Sequence, residues 1–193
     1  MIVTTRSDKA RRAEKTTGRW WSEAEPLLID KNQQNPGGVT ENMANTLVKI
    51  DIHLIFHVKS ANILLRTGDL GRVFTYIGGI INGIGGLPIE IGGMPDHLHI
   101  LTSMPKTMSL SDFVRTIKAE SSKWIKTIDA CYGQFAWQEG YGAFSVSPSL
   151  TDKTVKYIRS QAEHHKKRTF REEYKLFLDA YGIQYDERYV FSD

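Results

Sequence analysis

Between Thr46 and Lys59 the chain alternates for long enough to define one strand and both of its faces. Val48, Ile50, Ile52, Leu54, Phe56 and Val58 occupy every second position, the period of a half-buried β-strand. The positions between them carry Lys49, Asp51, His53, His57 and Lys59, with Leu47 and Ile55 as exceptions. Such a strand belongs in a sheet with one dry face and one face that is wet or meets a polar ligand. A helix follows from Asp69 to about Ile84, because Leu70, Val73, Phe74, Ile77, Ile80, Ile81 and Ile84 recur at three and four. Asp69 stands at its start and Gly85-Gly86 at its end. Leu87–Ile91 reads as a short strand, Gly92-Gly93-Met94-Pro95 as a turn and His97–Ser103 as a second strand, which together make a hairpin. Ser109 caps the next helix, with Asp112 in the capping-box position. Phe135–Gln138 and Ala143–Ser147 predict two strands around the turn Glu139-Gly140-Tyr141-Gly142. Two helices end the chain. One is Asp152–Arg168; the other, about Phe170–Tyr181, opens on a Thr169/Glu172 capping box and closes at Gly182.

The order β-α-β-β-α-β-β-α-α begins as a split βαβ unit. The predicted fold is α+β: a ferredoxin-like (RRM-like) antiparallel sheet with helices on one face and the other face free, plus C-terminal helices. At 193 residues the chain is long enough for one domain with a real core. Residues 1–42 mix charges with a polar run and show no sustained period, which predicts a weakly structured extension before a domain over 43–193. The formal net charge of +3 does not by itself announce a nucleic-acid binder. The single cysteine, Cys131, excludes an intramolecular disulfide framework and fits a reducing, cytoplasmic setting. No apolar run approaches membrane-spanning length, so no membrane partner is expected.

The chemistry-bearing residues fall in two places. His97 and His99 lie two apart on a predicted strand and therefore project from one face. Two imidazoles on a rigid strand can share a metal ion, and Asp96 is placed to orient a neighbour by a hydrogen bond. On the helix Asp152–Arg168, Tyr157 and Gln161 are four apart and share a face, near His164, His165 and Arg168. Lys153, Lys156 and Arg159 add positive charge along the same helix, and Lys118 lies on the preceding one. A basic patch of this kind tracks a phosphate backbone.

Several stretches together resemble the HUH transposases with a single catalytic tyrosine. These act on insertion sequences as single-stranded DNA, and REP-associated tyrosine transposases are their relatives. The stretches are His53-Leu54-Ile55-Phe56-His57-Val58-Lys59, Gly92-Gly93-Met94-Pro95-Asp96-His97-Leu98-His99, Ile117–Trp124, Trp137-Gln138-Glu139-Gly140-Tyr141 and Tyr157-Ile158-Arg159-Ser160-Gln161. The resemblance implies that His97 and His99 hold a metal, that Tyr157 is the nucleophile and that Gln161 completes the metal site. It also implies Mg²⁺ or Mn²⁺ as cofactor, a 5′-phosphotyrosine intermediate, single-stranded DNA with a hairpin as partner, and a homodimer joined by sheet edges. Whether Tyr157 serves its own subunit's metal or the other's stays open. Three alternatives accompany this reading: a domesticated hairpin-processing endonuclease, a non-catalytic ferredoxin-like nucleic-acid-binding module, and a metal phosphoesterase that uses water.

Overall fold

The computed structural model describes residues 47–59, 63–166 and 168–186. The predicted extension over 1–42 lies outside them. Strand β1 (Asp51–His57) leads through a single 3-10 turn into helix α1 (Leu70–Gly83), then the hairpin β2 (Leu87–Met94) and β3 (His97–Ser103). Helix α2 (Leu110–Ile125) and strand β4 (Gly142–Ser145) follow, then three C-terminal helices: α3 (Thr151–Arg159), α4 (Gln161–His164) and α5 (Phe170–Ala180). All pairings are antiparallel and the strand order is β2-β3-β1-β4. This is the ferredoxin-like arrangement expected from the element order.

The alternation in β1 sorts side chains as predicted. Ile52, Leu54, Phe56 and Val58 join Leu98 and Ile100 of β3 and the apolar stripes of α1 and α2 in one continuous core. Val48 and Ile50 precede the paired part of the strand and stay exposed. Ser109 caps α2 by accepting from the Asp112 amide, and the Thr169/Glu172 capping box of α5 forms in both directions. Asp69 does not cap α1 with its side chain. Its carboxylate instead accepts from the Tyr132 hydroxyl at 2.8 Å.

Three expectations change. The hairpin turn is Pro95-Asp96, and β2 runs on through Gly92 to Met94. The two strands predicted around Glu139–Gly142 are one interrupted strand along β1, because Trp137 bridges Val58 while Gly142 pairs with Ile55. The residues between loop out, and Lys118 Nζ holds them by donating to the carbonyls of Glu139 (3.1 Å) and Gly140 (2.8 Å). The second sheet face is not free, because the C-terminal helices close over it. Ile158 of α3 packs with Leu101 and Val146, while Tyr174 and Leu178 of α5 pack with Ile55 and Phe144.

Two glycines permit that closure. A Cβ on Gly92 would stand 2.8 Å from Ile158 Cγ2 and 3.0 Å from the Ile158 carbonyl oxygen. One on Gly142 would stand 2.7 Å from the Tyr174 hydroxyl. Side chains at these positions would hold α3 and α5 off the sheet.

Candidate functional site

The covered face carries the histidines. Register places Ile55 opposite His99 and His57 opposite His97, so His53, His57, His97 and His99 all point toward the C-terminal helices. His97 and His99 are fully buried, and His53 nearly so. Each motif histidine has its Nδ1 engaged from behind. Asp96 Oδ1 lies 2.7 Å from His97 Nδ1, which makes that nitrogen the donor. His53 Nε2 lies 3.0 Å from His99 Nδ1. Asp96 thereby leaves the His97 Nε2 lone pair free, and His99 Nε2 has a free lone pair when its Nδ1 donates to His53. His99 Nε2 is buried with no hydrogen-bond partner among the described residues.

Burial sets the charge of this cluster. It lowers the His53 pKa to about 4. It takes His99 well below its usual value, with the neighbouring histidines adding to the effect. Burial opposes ionisation of Asp96, but the hydrogen bond and charge of His97 outweigh it and hold the carboxyl below its usual value. A neutral imidazole is the state in which histidine binds a cation.

Helix α3 lays Tyr157 over this pair. The ring lies 5.7 Å from His99 and 6.2 Å from His53, both edge-on, with Phe177 5.5 Å from it and packed on the same two histidines. The Tyr157 hydroxyl is buried and has no partner among the described residues. The predicted single helix Asp152–Arg168 breaks at Ser160, between Tyr157 and Gln161. Ser160 Oγ donates back to the Lys156 carbonyl at 2.8 Å, competing with the helix ladder. The break leaves Gln161 buried, with Oε1 3.4 Å from His97 Nε2 and Nε2 donating to Glu173 at 3.0 Å.

Glu173 of α5 was not among the predicted site residues. One of its carboxylate oxygens and one ring nitrogen each of His97 and His99 lie within 4.8 Å of one another. Its Oε2 lies 2.9 Å from His165 Nε2, close enough for an ion pair but not aligned as a hydrogen bond. Burial pushes the Glu173 carboxyl up to about 7, against the pull of His97. The signal was present in the sequence: along α5 the stripe Phe170, Glu173, Tyr174, Phe177, Leu178 faces inward, with one carboxylate on an otherwise apolar face. Phe170 also stacks on His97 with ring centres 4.4 Å apart.

The basic residues disperse. Lys153, Lys156 and Arg168 are exposed. Arg159 is held by Glu90 of β2 through Nε (2.8 Å) and Nη2 (2.7 Å). Lys118 grips the 139–140 loop. The exposed His164 lies against Tyr157 at 5.1 Å, while His165 packs on His97 at 4.6 Å.

Residues 46–161 match the family described as "Transposase IS200 like". The chain belongs to the IS200-like transposase family. The matched span contains His97, His99, Tyr157 and Gln161 and stops short of Glu173. Among solved structures, the chain is similar to a Deinococcus radiodurans R1 protein described as a candidate transposase. That likeness has a TM-score of 0.49 and 21% identity, covering 61% of this chain and 95% of that one. A second likeness is to a REP-associated tyrosine transposase bound to a REP hairpin, with a TM-score of 0.48 and 14% identity over 63% of this chain and 72% of that one. Among curated proteins none matches. No helix among the described residues is long and apolar enough to cross a membrane.

Proposed function

We propose that this IS200-like transposase cleaves and rejoins single-stranded DNA, with Tyr157 as nucleophile and a divalent cation held by His97, His99 and Gln161. The observation that carries this reading is the Tyr157 hydroxyl: buried, without a hydrogen-bond partner among the described residues, on a ring 5.7 Å from that of His99. A buried hydroxyl with nothing to bond costs roughly 1–3 kcal/mol, a cost that a reacting phosphate would relieve. The donor set fits a cation, since one facing nitrogen is buried and unpartnered and each imidazole is fixed from behind. Two imidazoles and an amide oxygen suit Mg²⁺ or Mn²⁺ in use. When bound, such an ion neutralises charge on the phosphoryl oxygens.

The chain's own residues do the rest. Asp96 and His53 hold the two imidazoles in place. Phe177 and His99 confine the Tyr157 ring so that its oxygen meets phosphorus from one side. The phenol loses its proton, the Tyr157 oxygen–phosphorus bond forms and the phosphorus–O3′ bond breaks. The departing O3′ takes up a proton. The product is a 5′-phosphotyrosine and a free 3′-hydroxyl, and attack by another 3′-hydroxyl reverses the step without ATP. Lys153, Lys156, Arg168 and the two flanking histidines His164 and His165 lie on the helices where a DNA backbone would approach, and Lys118 and Arg159 act there by holding the loop and the sheet edge. The outer edges of β2 and β4 are where a homodimer would pair. The target is single-stranded DNA with a hairpin, and the setting is cytoplasmic.

The test is covalent trapping. Hairpin DNA with single-stranded flanks, labelled at its 3′ end, is incubated with protein and Mg²⁺ and then denatured. The parent retains label and Tyr157→Phe does not. Cleavage by Tyr157→Phe at the parental rate would instead favour attack by water.

A further inference from the structure

We infer that the Glu173 carboxylate, supplied by the C-terminal helix α5, is an anionic ligand of the site's metal, in addition to the groups named above. The inference rests on the metal reading of His97 and His99 and adds a residue beyond the matched family span.

The geometry is that of a ligand. A carboxylate oxygen of Glu173 and one ring nitrogen each of His97 and His99 converge within 4.8 Å of one another, and Glu173 Oε1 stands 4.0 Å from His99 Nε2. Ligand atoms around one cation at about 2.0–2.2 Å sit roughly 3–4 Å apart, so an ion fits between these groups with little movement. The carboxylate is also oriented. Gln161 Nε2 donates to Oε1 at 3.0 Å, and His165 Nε2 lies 2.9 Å from Oε2. Each first ligand therefore has a fixed neighbour behind it: Asp96 for His97, His53 for His99, and Gln161 with His165 for Glu173. Two imidazoles plus one carboxylate on one side of an ion leave its other positions open for phosphate and water.

The bland alternative is that Glu173 only positions Gln161 and His165. The two roles separate by charge. Glu173→Gln keeps an oxygen that can accept from Gln161, so the hydrogen bond survives while the negative ligand is lost.

The experiment measures Mn²⁺ affinity by calorimetry and the visible spectrum of protein saturated with Co²⁺, for the parent, Glu173→Gln and His97→Gln, with folding checked by circular dichroism. Glu173→Gln should bind Mn²⁺ at least about tenfold more weakly and, unlike the loss of a residue that only orients a ligand, alter the Co²⁺ bands at saturation. Glu173→Asp, which keeps the charge on a shorter stem, is the second probe should Glu173→Gln not fold; it should also alter the bands. Affinity within tenfold of the parent, or unchanged Co²⁺ bands, overturns the assignment. If His97→Gln loses Mn²⁺ while Glu173→Gln keeps it, this inference alone fails. If the parent binds no Mn²⁺, or His97→Gln binds it like the parent, the metal reading and this inference fail together.

Discussion

The two faces of the sheet are built from the same strands and put to opposite uses. On one face Leu54, Phe56, Leu98 and Ile100 are fully buried in the apolar core shared with α1 and α2. On the other, one residue along each strand, lie His53, His97 and His99, equally inaccessible to solvent but surrounded by partners chosen for orientation. The first face supplies stability by burial. The second tolerates unpartnered polar atoms on His99 and Tyr157, and so gives stability up. The rigid dry face is what allows the other to hold imidazoles at fixed spacing.

That contrast can be broken or sharpened by substitution. The largest expected effect is on chemistry: Tyr157→Phe should lower DNA cleavage by at least about 10³-fold. Its urea midpoint should be unchanged or raised, because the lost hydroxyl has no partner. On the opposite face Phe56→Ala should cost about 3–5 kcal/mol of unfolding free energy, read from urea denaturation. Gly92→Ala lies between the two classes. Its Cβ would stand 2.8 Å from Ile158 Cγ2, so it should cost about 1–3 kcal/mol and reduce covalent trapping as α3 is pushed off the histidines. Asp96→Asn should leave the fold intact and weaken Mn²⁺ binding roughly 10–100-fold by calorimetry.

The smallest effect concerns Lys118, which lies over the Phe56 ring on the dry side. Burial lowers its pKa to about 8. Between pH 8 and the ordinary lysine value the unfolded chain binds more protons than the folded one, so stability should rise with pH across that window. Lys118→Met should flatten that part of the pH profile, by an amount kept small by solvent exposure.

What could be read from the sequence follows from how local each signal is. The alternation around Leu54 and Phe56, the stripe of α1 and the Thr169/Glu172 capping box depend on near neighbours, and all appear as expected. His97 and His99 share a face for the same reason. The interrupted strand was harder to see, because Trp137 and Gly142 share β1 as partner and nothing local says so. The break at Ser160 falls in a segment with no proline or glycine, so no local signal marks it. The covered second face and Glu173 are long-range facts. Glu173 follows a capping-box acid and reads as another first-turn carboxylate until α5 is seen lying on the histidines.

The central claim is that the Tyr157 oxygen attacks a DNA phosphate beside the paired imidazoles. The direct measurement is mass spectrometry of the trapped adduct after nuclease and protease digestion. The account predicts a peptide spanning Tyr157 with a nucleotide joined to that residue through its 5′-phosphate. Nucleotide on another residue, such as Tyr141, or cleaved DNA with no modified peptide, would contradict it.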